Sequence, residues 1–560
     1  MPTRKEMWER LDGHFDLLII GGGINGAGIA RDAARRGLSV AVVEMNDLAS
    51  GTSSRSSKLV HGGLRYLESL EFSLVFESVS ERRILLDIAP HLVNPLGFIF
   101  PVYKGHRHNL WAINAGMWLY AGLSLFRSPK RHKKLNKREV SELEPALNTE
   151  NLKGAPLYYD CGTDDARLTL ETALDAIRSG AVVSTWTRAI DLVAEESGRA
   201  IGLRVKDELS GEEKVIHGHT IVNATGPWTD DIIKMAKGPN VSPLIRPTKG
   251  VHLVVERDKL PVNNAVVCFH PTDGRVLFAI PWGDRTYLGT TDTDFSGDPA
   301  KVYAEQADID YLINAANAYF PAHPLSYDDV ISTWAGLRPL IAPKGAEDEV
   351  SASAVSREHQ IVIGHNGMIT IAGGKLTTYR RMSVEVVDTV LRMLRLIGHL
   401  PKNLLEAKTG EEPLLGAVGW PEDDDHDRVG AQISEVAAGR LSPASCRHLA
   451  DSYGMRGIDV ARMVRDDEAL GKPLIDGRHE IMAQVHWAVE VELAGSLSDV
   501  LMRRTQLFFK DLNQGLGAVE VVADTMQKLV GWTDEQKAEN VSAYRAEVEA
   551  SRAWRTTRSN

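Results

Sequence analysis

At 560 residues the chain exceeds what one hydrophobic core usually supports, so two or three domains are expected. Hydrophobic residues at 43% and charged residues at 25% are ordinary for a globular protein, and a net charge of −11 argues against nucleic acid as the main partner. Only three cysteines occur (Cys161, Cys268, Cys446), without metal or redox spacing, which excludes a disulfide framework and fits a reducing compartment.

Met1 to His14 mixes both charges and lacks an apolar run, so it does not read as a secretory signal. Leu17 to Ile20 then reads as a buried strand, turning into a helix at Gly21, Gly23 and Gly26. In this G-x-G-x-x-G spacing Gly21 permits the tight turn, Gly23 lets backbone approach a pyrophosphate, and Gly26 allows close helix–strand packing. Alone the spacing marks only a glycine turn. Here a second strand, Ser39 to Val43, ends at Glu44, whose carboxylate suits an adenosine ribose, and the combination points to a dinucleotide. The hydroxyl-rich loop Leu48 to Lys58, with Thr52, Ser53, Ser54, Ser57 and Lys58, is placed to wrap the second phosphate and approach an isoalloxazine ring. A plain nicotinamide dehydrogenase has no evident need of such a segment. Leu59 to Tyr66 follows, containing His61, Arg65 and Tyr66.

Leu110 to Phe126 is apolar but too short for a confident transmembrane helix. Lys104, His106, Arg107 and His108 lie on one side of it, and Arg127, Lys130, Arg131, Lys133, Lys134, Lys137 and Arg138 on the other. The pattern reads either as a helix lying in a bilayer interface, its cations meeting anionic head groups, or as a core helix beside a basic loop. Asp164 to Arg167 looks like a helix start, with acids favourable at its N-terminus. Asn223 to Trp228 reads as a return towards the cofactor, Gly226 allowing close approach. Val276 to Pro281 and Thr286 to Thr290 read as antiparallel strands, as do Gln360 to Gly364 and Met368 to Ala372 as late strands. Gly373 to Arg380 is then a glycine turn entering a helix. From about 396 the texture changes; Glu411 to Asp427 is rich in acid, glycine and proline and marks a linker. Beyond it, His486 to Leu497 and Asp499 to Phe509 carry helical spacing, and Thr533 to Gln536 has the form of a capping box.

Seven segments, GGGINGAGIARDAARRGLSV, GTSSRSSKLVHGGLRYLE, DDARL, NATGPW, GTTD, GLRP and GGKLTTYR, match in order the FAD-dependent glycerol-3-phosphate dehydrogenases of aerobic respiration, and the chain resembles that family from about residue 15 to 381, more weakly beyond. The resemblance implies an α/β fold: a Rossmann-like FAD domain of the glutathione-reductase/D-amino-acid-oxidase type interleaved with an antiparallel-sheet substrate domain over 15–395, a linker over 396–427 and a C-terminal helical domain over 428–560. It implies oxidation of sn-glycerol 3-phosphate to dihydroxyacetone phosphate through FAD, with electrons passing to membrane quinone. It also tilts the apolar segment towards peripheral contact with the inner face of the cytoplasmic membrane. The C-terminal helices carry no catalytic signal, and pairing into a homodimer or recruitment of a partner both stay open.

For the site, a phosphate-bearing substrate needs fixed cations, and the arginine fork matches phosphate geometry. Arg65, Arg338 and Arg357 fall where the resembled family places substrate-contacting arginines. His252 corresponds to the family histidine proposed to lie near the substrate hydroxyl and is favoured as base over His61; imidazole accepts a proton near neutral pH. Arg338 is expected to stabilise the developing alkoxide, Thr290 and Tyr66 to complete the pocket, and Lys375 to sit near the flavin beside Gly374, Leu376 and Thr377. His217-Gly-His219 and Asp423 to Asp427 read as a turn and a solvated acidic loop rather than metal sites. An oxidase using dioxygen is the competing enzyme reading, though the insertion associated with oxidase members is not evident. A flavin oxidoreductase acting on amines or amino acids, and a non-catalytic flavin-binding scaffold, also compete with it.

Overall fold

The computed structural model describes residues 1–63, 71–105, 116, 130–238, 241–342 and 358–555. Two sheets organise the chain. The first is built on parallel strands in the spatial order Ile369–Gly373, Glu213–Asn223, His14–Ile20, Val40–Val43 and Val182–Ser184. Val40 to Val43 is buried at every position, as a strand covered on both faces requires. A hairpin, His359–Ile363 with Ile369–Gly373, extends one edge, while Ala200–Asp207 pairs in antiparallel fashion with Glu213–Asn223 and Thr187–Ala194 in turn with Ala200–Asp207. Helices Ile24–Arg35, Asp165–Arg178 and Tyr379–Leu396 cover this sheet. Asp164 caps the second of them, its carboxylate accepting from the Arg167 N–H at 3.1 Å.

The second sheet is mainly antiparallel. Its centre is Ile245–Glu256, flanked by Arg285–Gly289 on one side and Val330–Ile341 on the other, with Val276–Trp282, Ala265–Phe269, Val93–Ile99 and Leu152–Thr163 beyond Arg285–Gly289. The strands read at 276–281 and 286–290 are these central hairpin strands. Register sets Thr248 opposite Arg338, Gly250 opposite Gly336 and His252 opposite Trp334. Because side chains alternate along a strand, all six positions share one face.

The segment between the halves lies along the first fold: Arg31 donates to the carbonyls of Thr409 (2.9 Å) and Glu412 (2.7 Å), and Leu414 is buried. The C-terminal helices share a core with the second sheet, where Phe98, Tyr158, Val254 and Trp334 meet Leu507, Phe508, Phe509, Val519 and Tyr544. Two helical expectations need revision. The helix expected over His486 to Leu497 ends at Glu490, because the Asp499 carboxylate gathers the N–H groups of Gly495 (2.7 Å) and Ser496 (2.9 Å) into a turn. The helix expected over Asp499 to Phe509 splits into Asp499–Arg504 and Leu507–Lys510, with Gln506 in the left-handed region at φ 60°. The capping box at Thr533 opens the helix Asp534–Arg552.

Candidate active site

The glycine turn is shaped for close approach. Gly21 has φ 109°, and a side chain there would press on Ala224 backbone; at Gly26 one would overlap the Gly21 carbonyl. The helix after the turn starts at Ile24, whose N–H donates to Ser53 Oγ at 2.9 Å, so the serine loop already touches the end that attracts anions. Glu44 is buried at the strand end, accepting from the N–H groups of Gly22 (2.6 Å) and Asn46 (3.0 Å). Burial raises its pKa against those donors. Its two oxygens retain lone pairs for a ribose hydroxyl. Gly226 has φ 53° with nothing within 4 Å of where a Cβ would stand, which leaves room beside the Asn223 to Trp228 loop. These residues fit an adenine dinucleotide.

The serine loop is stitched to the second sheet. Thr52 Oγ1 donates to the Leu337 carbonyl (2.7 Å), Trp334 Nε1 to the Ser56 carbonyl (3.1 Å) and Tyr287 to the Ser57 carbonyl (2.9 Å). Ser54 is buried, and its carbonyl accepts from Lys58 Nζ at 3.3 Å. Lys58, read as a cofactor residue, places its ammonium on Asp165 at 2.6 Å, within 6 Å of the ring centroids of Trp282, Trp334 and Phe509. That pair accounts for its charge structurally.

His252 and Arg338 lie on the shared face. His252 is 3% exposed, its ring stacked on Trp334 at 4.7 Å and 12°, and its Nε2 lies 2.9 Å from Ser57 Oγ. A side chain at Gly289 would overlap the imidazole, so that glycine makes the slot. Burial drives the His252 pKa well below the usual range, with Arg338 and Lys58 adding to the effect, so the ring is neutral at pH 7. Arg338 donates to Asp292 Oδ1 (3.0 Å), Thr290 Oγ1 (3.2 Å) and the Thr291 carbonyl (3.2 Å). A Cβ at Gly250 would come within 2.6 Å of Arg338 Nη2 and 2.7 Å of Thr290 Oγ1, so a second glycine makes room for the guanidinium.

The late glycine turn approaches the same region. Gly373 and Gly374 have φ 74° and 84°, and Leu376–Thr378 forms a short 3-10 turn before the helix. The Thr377 hydroxyl bridges the backbone of His61, accepting from its N–H at 3.2 Å and lying 3.3 Å from its carbonyl. Lys375 Nζ reaches Ser78 Oγ at 3.4 Å. Arg65, Tyr66 and Arg357 lie outside the described residues, as does Leu110 to Phe126 apart from Gly116. Sequence reasoning missed Asp292 and Trp334. Asp292 stands inside the GTTD motif, and Trp334 two alternations before Arg338 on one strand, so both carried a readable signal. His217 to His219, expected as a turn, lie instead within the strand Glu213–Asn223, and His219 stacks on His399 (3.8 Å) and lies 4.4 Å from the His14 ring.

Residues 16–380 match the family model described as FAD dependent oxidoreductase, and residues 407–537 match that of the C-terminal domain of alpha-glycerophosphate oxidase. The chain is 40% identical over 550 residues to a glycerol-3-phosphate dehydrogenase of Mycobacterium leprae, covering 98% of this chain and 90% of that protein. It is 37% identical over 528 residues to an aerobic glycerol-3-phosphate dehydrogenase of Staphylococcus haemolyticus, covering 94% and 92%. Among solved structures, the glycerol-3-phosphate dehydrogenase of Bacillus halodurans complexed with FAD is similar with a TM-score of 0.79 and 33% identity, over 98% of this chain and 97% of that one.

Proposed function

Because the chain belongs to the FAD-dependent glycerol-3-phosphate dehydrogenase family, we propose that it oxidises sn-glycerol 3-phosphate to dihydroxyacetone phosphate and passes the electrons to membrane quinone. One observation carries the reading: a buried imidazole and a half-buried guanidinium share one face of a sheet onto which the serine loop is pinned. Gly21, Gly23, Gly26, Glu44, Thr52, Ser53, Ser54, Gly226, Gly374, Leu376 and Thr377 would hold FAD, which supplies a two-electron acceptor for the carbon-bound hydride.

The protein's own tasks are binding, orientation and proton handling. Arg338 offers its fork to a substrate oxygen and stabilises the alkoxide as it develops; Thr290 and Asp292 hold the fork in place. His252, unprotonated at neutral pH, accepts the hydroxyl proton. Lys375 lends positive charge at the late glycine turn, and His61 packs beside it through Thr377. By family resemblance Arg65, Tyr66 and Arg357 complete the phosphate pocket.

Among the described residues no helix is long and apolar enough to cross a membrane. The cations of 130–138, all but His132 exposed, support peripheral docking on an anionic cytoplasmic face. The testing experiment is anaerobic titration of the flavin-loaded protein with sn-glycerol 3-phosphate. Bleaching of the flavin absorbance is expected; a flavin that stays oxidised at saturating substrate overturns the reading.

A further inference from the structure

His252 is badly placed to meet a substrate by itself. Its ring is 3% exposed, one face is covered by Trp334, and the slot at Gly289 leaves no space on the other strand. Nδ1 is sealed from solvent and has no hydrogen-bond partner among the described residues. The ring therefore has one working nitrogen, Nε2, and the atom in front of it is Ser57 Oγ at 2.9 Å. Ser57 is less buried than the ring behind it, and its hydroxyl makes no other hydrogen bond among the described residues. Its position is fixed independently of its side chain, because its carbonyl is held by Tyr287 and its neighbours on either side by Trp334 and Asp165.

We propose that Ser57 is a proton relay, a positioning residue through which His252 reaches the substrate hydroxyl, in addition to any part the serine loop has in holding FAD. The inference rests on the reading of His252 as proton acceptor. In the relay the substrate hydroxyl gives its proton to Ser57 Oγ as the Ser57 hydroxyl gives its own to His252 Nε2. One O–H bond breaks and one forms at the serine, one N–H bond forms at the histidine, and the net result is one proton on the imidazole. Both electrons of the broken C–H bond leave with the hydride, so the serine carries no redox change. A hydroxyl suits this task because it donates and accepts at once.

The test uses the flavin-loaded full chain as Ser57→Ala, His252→Ala and the double variant, each read for flavin content, anaerobic flavin-reduction rate and its pH profile. Flavin-loaded Ser57→Ala is expected to lose about 10²-fold in reduction rate per bound flavin and to take on the pH profile of His252→Ala. The double variant should be no slower than His252→Ala alone, since both changes cut one path. Ser57→Thr, which keeps the hydroxyl, should recover most of the rate. A reduction rate per bound flavin within threefold of wild type in Ser57→Ala, or multiplying effects in the double variant, would overturn the relay. A normal rate in His252→Ala would instead bring down the reading beneath it. In addition, the ring nitrogens of 15N-labelled His252 should shift in Ser57→Ala without substrate present; unchanged resonances count against the contact.

Discussion

Lys58 and Asp165 form a buried ion pair, 2.6 Å between Nζ and Oδ1, that clamps the serine loop to the start of the helix Asp165–Arg178. The second oxygen of Asp165 accepts from Ser56 N–H (3.0 Å) and Ser56 Oγ (2.7 Å), so one carboxylate fixes both Ser56 and Lys58 of the loop. Asp165→Ala leaves Lys58 charged and unpaired among aromatic rings. It is expected to cost about 3–5 kcal/mol of stability. Urea denaturation would show this, with flavin released before the global transition.

Gly250 tests the niche around the guanidinium. A methyl group at this position would come within 2.6 Å of Arg338 Nη2 and must displace it, while the glycine turn lies elsewhere. Gly250→Ala should keep its flavin and lose about 10²-fold in kcat/KM for sn-glycerol 3-phosphate, the scale of an ångström-sized misplacement. Steady-state kinetics beside an absorbance spectrum distinguishes this from simple misfolding.

Arg338→Ala removes the charge itself. Loss of about 10²- to 10³-fold in the rate of anaerobic flavin reduction is expected, as for other donors aimed at a developing oxyanion. Arg338→Lys should recover little, because an ammonium cannot reproduce the fork that spans Asp292 and Thr290. Stopped-flow absorbance at the flavin band gives both numbers.

What is legible in the chain and what is not divides along sequence distance. Gly21, Gly23, Gly26 and Glu44 act within about two dozen residues, so strand, turn and acid announce themselves locally. Alternation along one strand puts Trp334 and Arg338 on a common face, a period that sequence carries. The contact of Ser57 with His252 spans 195 positions, and those of Asp47 with Arg503 and Arg504 span 456 and 457. No spacing rule encodes such pairs; they exist only once two sheets and a helical layer have closed on one another. The helical period at 499–509 is visible, but the left-handed Gln506 that interrupts it depends on tertiary packing.

His448 gives a stability signature that is independent of the active site. Burial, opposed by Glu480, lowers its pKa to about 4, and its Nε2 meets Gln484 at 3.2 Å. The unfolded chain takes up this proton near pH 6.5, before the folded one does, so stability must fall as pH drops from about 6.5 towards 4 and then level off for this group. Up to about 3 kcal/mol is at stake. His448→Gln should flatten that limb in denaturation curves recorded across the window; an unchanged slope would exclude the histidine as its source.

Docking to lipid can be measured separately from catalysis. Lys133 and Lys134 occupy the short strand Lys133–Leu135, and Lys137 and Arg138 open the helix Lys137–Leu143. Replacing Lys130, Arg131, Lys133, Lys134, Lys137 and Arg138 by glutamine removes about 1 kcal/mol of attraction each at an anionic surface. Co-sedimentation with anionic vesicles should be lost, and activity towards a soluble quinone analogue retained. Sedimentation equal to wild type would refute the basic patch as the anchor.

The ring that backs His252 is itself braced from the far end of the chain. Phe509 meets Trp334 edge-on at 5.7 Å, and the Phe509 and Lys510 carbonyls take hydrogen bonds from Ser332 and Arg285. A premature stop ahead of residue 507 would remove the buttress behind the imidazole. Changes in the tail therefore belong in any search for lesions that silence turnover from a distance.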